Sequence, residues 1–331
     1  MPNNKVEMPR SGAAQAPVQP PAKRARRDWS GAMVGLGLGL AGLVLARAGW
    51  LRLQFDVFSA LTIQAAFLVI ASALGLLSPR YKTLAASTIF ILGLLAYGLW
   101  PSLPVAADEP IPPNTKRLRL ATFNIDRGVG HEAEIIASLK KLDADVVVLT
   151  EFDPGVATLN TALHELFPSV MTCESSASCD VTIASRLPLT KQSEFLVDVG
   201  SNATAARLGP EFGNLLIVGV HTTRFPRSTK QFAQLSALSA RLTKEPGLMI
   251  VAGDFNATPQ SRLAQQFAKS LDLEIATYLP TYPTAFGLPQ LAIDQIMVRT
   301  GIAPLGPQMG ADAAGSDHIA SARTFAVPVA R

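Results

Sequence analysis

Three uncharged apolar stretches near the N-terminus constrain this chain more than any other feature. Trp29–Ala46 carries no charge over 18 residues, Val57–Pro79 none over 23, and Thr83–Ala107 none over 25. A helix needs about 20 apolar residues to cross a hydrocarbon core ~30 Å thick. The stretches predict three transmembrane helices, at about 29–48, 57–78 and 83–101. Pro101 and Pro104 end the third, and Arg47 can snorkel from the end of the first. A cleaved leader is the competing reading, because a basic tail precedes the first stretch and Ala46-Arg47-Ala48 has the small-x-small form of a cleavage site. A leader leaves the other two stretches unexplained. A soluble helical core fails as well, since almost no face of these stretches carries charge.

Charge placement predicts which way the spans run. Residues 1–28 hold six basic side chains, end in the run Lys23-Arg24-Ala25-Arg26-Arg27, and read as a disordered basic tail. The first connecting loop carries Arg47 and Arg52, the second Arg80 and Lys82. Putting the tail in the cytoplasm places eight basic residues inside and two outside, as the positive-inside rule prefers. Three spans then deliver the C-terminal part to the periplasmic or extracellular side of the cell membrane. The rest of the chain, from Asp108 onward, holds 19 Lys and Arg against 22 Asp and Glu, a balance of −3. A protein that grips a duplex carries its positive charge on the binding domain. Bulk charge therefore gives no support to nucleic-acid binding.

Residues 108–116 form a Pro-rich, semi-rigid linker. From 117 to 331 the pattern changes to short β-rich runs alternating with amphipathic stretches, the mark of one α/β domain. Strands are expected at Arg117–Asn124, Ala144–Thr150, Asp180–Ser185, Asn214–His221, Leu248–Gly253 and Ala292–Val298. Helices are expected at His131–Leu142 and Ser228–Lys244, the second capped by Ser228 or Thr229. Cys173 and Cys179 suit a small loop closed by a disulfide, provided the domain lies in an oxidising compartment.

The chemistry-bearing residues fall at the strand ends, where a rigid sheet presents catalytic groups. Asn124 and Asp126 close the first strand, Glu151 the second, and His221 ends Ile217-Val218-Gly219-Val220. Asp254 and Asn256 end Met249-Ile250-Val251-Ala252-Gly253, Asp294 opens Gln295-Ile296-Met297-Val298, and Asp317-His318 follows Ser316. Singly, an Asp after a strand more often caps a turn. His131 and His164 sit in helical stretches and read as structural.

Taken together, Thr122-Phe123-Asn124-Ile125, Glu151, His221 with Pro226, Gly253-Asp254-Phe255-Asn256-Ala257-Thr258-Pro259, Ile293-Asp294 and Ser316-Asp317-His318 resemble the endonuclease/exonuclease/phosphatase superfamily, in its order, over residues 117–331. That superfamily includes pancreatic-type deoxyribonucleases, abasic-site endonucleases, neutral sphingomyelinases and inositol-polyphosphate phosphatases. The resemblance implies a four-layer α/β sandwich of two packed mixed sheets flanked by helices. It implies a phosphoric ester hydrolase using Mg²⁺ or Mn²⁺, hard cations that prefer oxygen ligands. Glu151 would be the principal metal ligand, with Asn124 and Asp317 near the metal. Asp254 and Asn256 would orient the attacking water and the phosphoryl oxygen. His318 would be the general base, held by Asp294, and His221 would protonate the leaving group or bind phosphate. Asp126 matches an acidic residue of some members only. Arg224, with Arg227 and Lys230, reads either as a phosphate patch or as a solvated loop and helix start. Arg186 matches a common Ser-Arg-x-Pro turn of the family, structural there at least as often as functional. The substrate is a phosphoester, whether lipid head group, small phosphodiester or nucleic acid. The membrane tether and near-neutral domain lean away from the alternative, a nuclease acting outside the cytoplasm. The intact acid and histidine set speaks against a second alternative, a non-catalytic binding module. No protein partner is inferred.

Overall fold

The computed structural model describes residues 30–103, 110–173, 179–191 and 202–329. The expected tail, and part of the expected linker, lie outside these residues. Three helices come first: α1 (Ser30–Ala48), α2 (Thr62–Leu76) and α3 (Lys82–Leu99). By length and composition each of three segments, Gly31–Ala48, Leu53–Leu76 and Lys82–Leu99, could cross a membrane. The second opens differently from a plain helix. Leu53–Leu61 forms a 3-10 turn that runs directly into α2. Small residues let the helices approach one another. At Gly39 of α1 a β-carbon would stand 2.8 Å from the Val69 side chain and 3.1 Å from the Ala65 carbonyl of α2. Met33, Leu38 and Val44 of α1, Ile70 of α2 and Leu84 and Ile91 of α3 stay exposed.

The remainder alternates strand and helix: β1 (Thr115–Asn124), α4 (Glu132–Leu142), β2 (Val146–Thr150), α5 (Ala157–Leu166), β3 (Ser169–Thr172), β4 (Thr182–Ser185), β5 (Leu189–Lys191) and β6 (Asn202–Leu208). There follow β7 (Leu216–His221), α6 (Ser228–Leu242), β8 (Met249–Asp254), α7 (Arg262–Ser270), β9 (Leu273–Ile275), β10 (Asp294–Arg299), β11 (Ala303–Gly310) and β12 (Ser321–Pro328). The strands form two mixed six-stranded sheets, β11-β12-β1-β2-β4-β3 and β5-β6-β7-β8-β10-β9.

Burial explains why several strands are continuous apolar runs. In β1 and β2, Leu118, Leu120, Val146 and Val148 pack between the sheets, against Ile217, Ile250 and Ile296. The alternate residues Ala121, Phe123, Val147 and Leu149 pack outward against α4 and α5. On the other sheet Leu216, Val218, Met249 and Val251 meet α6 and α7. A strand covered on both faces has no polar side to show. The result is the four-layer α/β sandwich expected from the sequence.

One local expectation needs correction. Helix α6 begins at Ser228 but is not capped by Ser228 or Thr229: the capping position is Arg227, which makes no side-chain capping bond. Ser228 is instead buried in the first turn. Cys173 and Cys179 are disulfide-bonded.

The helices meet the sandwich at one end of their bundle. Gln64 Nε2 donates to the Gln290 carbonyl at 2.7 Å, and Gln290 Nε2 donates to the Leu94 carbonyl at 3.1 Å. Tyr97 Oη donates to the Tyr278 carbonyl at 3.4 Å. The Asp56 carboxylate accepts the backbone N–H groups of Arg262 at 2.7 Å and Leu263 at 3.2 Å.

Candidate active site

Sheet topology collects the candidate residues at one edge. Strands β1 and β2 run parallel, with Asn124 opposite Thr150. Strands β7 and β8 run parallel, with His221 opposite Asp254. Strand β10 is antiparallel to β8 and starts there, with Asp294 opposite Asp254. Each chain then turns sharply. Asp126 (φ 43°), Glu151 (φ 56°) and Asn256 (φ 46°) occupy left-handed backbone conformations. Non-glycine residues adopt these uncommonly, and such strain gathers at functional sites.

The side chains meet in a cleft of about 670 Å³ whose lining includes Asp126, Glu151, His221, Asp254, Asn256 and His318. Asp254 is at its centre and is buried. Two imidazoles approach the same carboxylate oxygen: Asp254 Oδ2 lies 3.8 Å from His221 Nε2 and 3.9 Å from His318 Nε2. Each ring is held from behind by a carboxylate. His318 Nδ1 is 2.7 Å from Asp294 Oδ2, and His221 Nδ1 is 3.0 Å from Asp180 Oδ2. Asn256 supports the centre, its N–H donating to Asp254 Oδ1 at 2.7 Å and its Nδ2 to the Thr222 carbonyl at 2.9 Å. The half-exposed Asp317 lies 3.7 Å from His318 Nε2.

This crowding of carboxylates shifts the titrating groups. Burial disfavours a charged His221, but its hydrogen bond to Asp180 and the charges of Asp254, Asp180 and Glu151 prevail and push its pKa up to about 9. For His318 burial is likewise overcome, by the charge and hydrogen bond of Asp294 and the charges of Asp254 and Asp317, which push it up to about 10. Asp254 is raised by burial and by the Asp294 charge, against the pull of the two histidines. Negative charge dominates the cleft, and it attracts protons or a cation.

Glu151, Asp254 and Asp317 bring carboxylate oxygens to the cleft, the donors a hard divalent cation takes. Ligand atoms of Asp254, Asp294 and His318 all lie within 4.8 Å of one another. Asp294 Oδ1 is buried and has no hydrogen-bond partner among the described residues. Glu151 borders the cleft and lies 4.0 Å from His221 Nε2. Asn124 is turned differently from the ligand role that the resemblance implies. Its Nδ2 donates to Glu151 Oε1 at 3.0 Å and to Asp254 Oδ2 at 3.1 Å, while its Oδ1 accepts from the Asp126 N–H at 3.1 Å. In this geometry Asn124 positions two carboxylates, and its amide would have to turn over to offer oxygen to a cation.

The sequence alone does not single out Asp180, Tyr282 or the turn at Asp56. Asp180 stands just before β4, an acidic residue at a strand start, and that was its one signal. The Tyr282 ring lies 4.8 Å from the His318 ring. Arg224 borders the cleft and is exposed. Arg186 pairs instead with Asp143 at 2.5 Å and does not line the cleft. Neither His131 nor His164 lines the cleft.

Two packed six-stranded sheets flanked by helices, with two carboxylate-held histidines around a buried aspartate, define an α/β sandwich protein with an acid–base site. The chain belongs to the endonuclease/exonuclease/phosphatase family, whose sequence profile matches residues 121–318. No curated protein sequence matches significantly. Among solved structures, an endonuclease/exonuclease/phosphatase from Bacteroides vulgatus is similar, with TM-score 0.50 and 15% identity, over 63% of this chain and 98% of that one. Sphingomyelinase C from Streptomyces griseocarneus gives TM-score 0.47 and 16% identity, over 63% of this chain and 99% of that one. A beta toxin variant from Staphylococcus aureus with bound magnesium ions gives TM-score 0.48 and 15% identity, over 63% of this chain and 99% of that one. At such identity the first of these likenesses speaks to the fold alone.

Proposed function

We propose that this protein is a divalent-metal-dependent phosphoesterase, held in the membrane by α1, α2 and α3, with its sandwich on the outer side. The observation that carries the reading is the convergence of two carboxylate-backed imidazoles on one oxygen of Asp254. Phosphoester cleavage needs an activated water, a proton for the leaving oxygen, and relief of charge on the phosphoryl group. His318, oriented by Asp294, serves as the general base. His221, oriented by Asp180, holds a proton near neutral pH and delivers it to the leaving oxygen. Asp254 and Asn256 orient the water and a phosphoryl oxygen. Glu151, with Asp317 and a turned Asn124, would hold Mg²⁺ or Mn²⁺, which would supply Lewis-acid stabilisation of the phosphoryl charge. Neutralising the carboxylates there also lowers the proton affinity of His318, freeing it to act as base.

The outward orientation has two supports. One is the distribution of Lys and Arg around the spans. The other is that Asp56, Gln64, Leu94 and Tyr97, which reach the sandwich, fall at the end of the bundle opposite the α2–α3 connection. A C-terminal reporter fusion active in the cytoplasm would refute the orientation.

The test of the activity uses the full chain in detergent with Mg²⁺ or Mn²⁺ and a chromogenic phosphodiester. Turnover is expected, to be abolished by chelator and by Glu151→Gln while the unfolding temperature holds. Full activity in Glu151→Gln would refute its ligand role, and no metal-dependent turnover on any phosphoester would refute the reading.

A further inference from the structure

The catalytic cleft is walled partly by the candidate membrane hairpin. Asp56, Val57, Ser59 and Ala60 line it, together with Asp254 and His318. They belong to the 3-10 turn that opens the second apolar segment, Leu53–Leu76. The turn is fixed there. The buried Asp56 carboxylate takes the first two N–H groups of α7, and Arg262 Nη1 returns a bond to the Gly49 carbonyl at 3.3 Å. The turn also packs against α6.

The loop after β7 supplies another part of the lining: Arg224, Phe225 and Arg227. Phe225 is 54% exposed. Neither arginine makes an ion pair among the described residues. An exposed aromatic ring and two exposed guanidinium groups thus share one short loop of the lining. At a lipid–water boundary the ring enters the acyl region and the guanidinium groups meet lipid phosphates. The cleft, at about 670 Å³, has the size of a small-molecule site.

We infer that the substrate is a phosphoester lipid of the membrane in which the protein sits. Its head-group phosphate reaches Asp254, and its acylated part lies against Val57 and Ala60 with Phe225 at the rim. This rests on the phosphoesterase reading and narrows it to one substrate class. The lipid enters from the bilayer plane, because the wall it passes is part of the hairpin.

The experiment uses the full chain in phosphatidylcholine–phosphatidylglycerol vesicles with Mg²⁺ or Mn²⁺. Release of head group or phosphate from these lipids is compared with hydrolysis of the deacylated, water-soluble glycerophosphodiesters and of single-stranded DNA. The lipids should exceed their soluble counterparts in kcat/KM by at least about tenfold, a factor that burial of one phenylalanine suffices to supply. Phe225→Ser, at an exposed position that imposes little on folding, should lower the lipid-to-soluble ratio, and so should Ala60→Arg. The inference is overturned if the soluble diester or DNA is the better substrate. It is overturned equally if both variants lower lipid and soluble rates in the same proportion. Absence of turnover on every substrate would instead remove the phosphoesterase reading, and this inference with it.

Discussion

Replacing Gly253 by alanine tests how the cleft is built, because this glycine sits where two parallel strands run closest to the chemistry. Its φ of +138° is one that side-chain-bearing residues rarely adopt. A β-carbon there would overlap the Val220 carbonyl oxygen outright and stand 3.0 Å from the Val220 carbonyl carbon. An ordinary C···O approach is about 3.3–3.6 Å, so β7 and β8 would have to part by roughly an ångström. Holding alanine at such a φ costs about 1–3 kcal/mol and forcing the extra carbon into the packed sheet about 1–3 more. For a domain of this size each kcal/mol lowers Tm by roughly 2–4 °C, so a fall of about 5–20 °C is expected. The next residue pair along, His221 and Asp254, are register partners. An ångström of misplacement there should cost about a hundredfold in turnover. Gly247→Ala is the control. Its φ is +84° but nothing lies within 4 Å of the added carbon, so it carries backbone strain without the clash. Differential scanning of the two detergent-solubilised variants, followed by phosphodiester kinetics, decides the matter. A Gly253→Ala protein no less stable than Gly247→Ala, and with more than half of wild-type activity, would refute the reasoning.

His318→Ala should lower kcat by at least about a hundredfold, the low end of what a general base contributes, and a loss under about fivefold would remove it from that role. Asp294→Asn should also lower activity and, in chelator-treated protein, should flatten the alkaline fall in Tm. Raised pKa values of about 10 for His318 and about 9 for His221 stabilise the metal-free fold fully below pH ~6.5, and that stability is lost as pH climbs through 9 and 10. A metal-free wild-type protein whose Tm is level from pH 7 to 10 would contradict those shifts. Replacing Cys173 and Cys179 together by alanine opens a short covalent loop and should cost about 2 kcal/mol, read as a lower Tm that reductant no longer affects. Because Asp180 adjoins Cys179, the same variant should lose activity as well as stability.

The sequence carried the sheet framework clearly, for a physical reason. Strands covered on both faces, such as Val146–Thr150 and Met249–Asp254, are short, continuous, fully buried runs rich in apolar residues. Their ends were legible too, since a polar residue directly after such a run marks where burial stops. Long-range pairing was not. Asp180 partners His221 across 41 positions, and no local pattern announces it. The α6 start shows the same limit, because Ser228 looks like a cap until tertiary contacts bury it. Hydropathy hid the cleft wall at 56–60 within an apolar segment, where Asp56 reads as a flanking charge rather than a latch onto α7.

What the pairings have in common is that they cross between the sheets. His221 ends a strand of one sheet and is held by Asp180, which leads into a strand of the other. His318 precedes β12 and is held by Asp294 at the start of β10, again from one sheet to the other. Asn124 of β1 reaches Asp254 of β8 in the same way. Neither sheet holds a complete constellation, so the distances at the centre are set by how closely the two inner faces pack. That packing is tight. At Gly219 of β7 a β-carbon would meet Val181, just before β4, at 2.8 Å and Val148 of β2 at 3.0 Å. A close-packed interior transmits displacement rather than absorbing it. The apolar layer between the sheets therefore acts as a ruler for the cleft, and a change in its thickness moves both histidine–aspartate pairs at once.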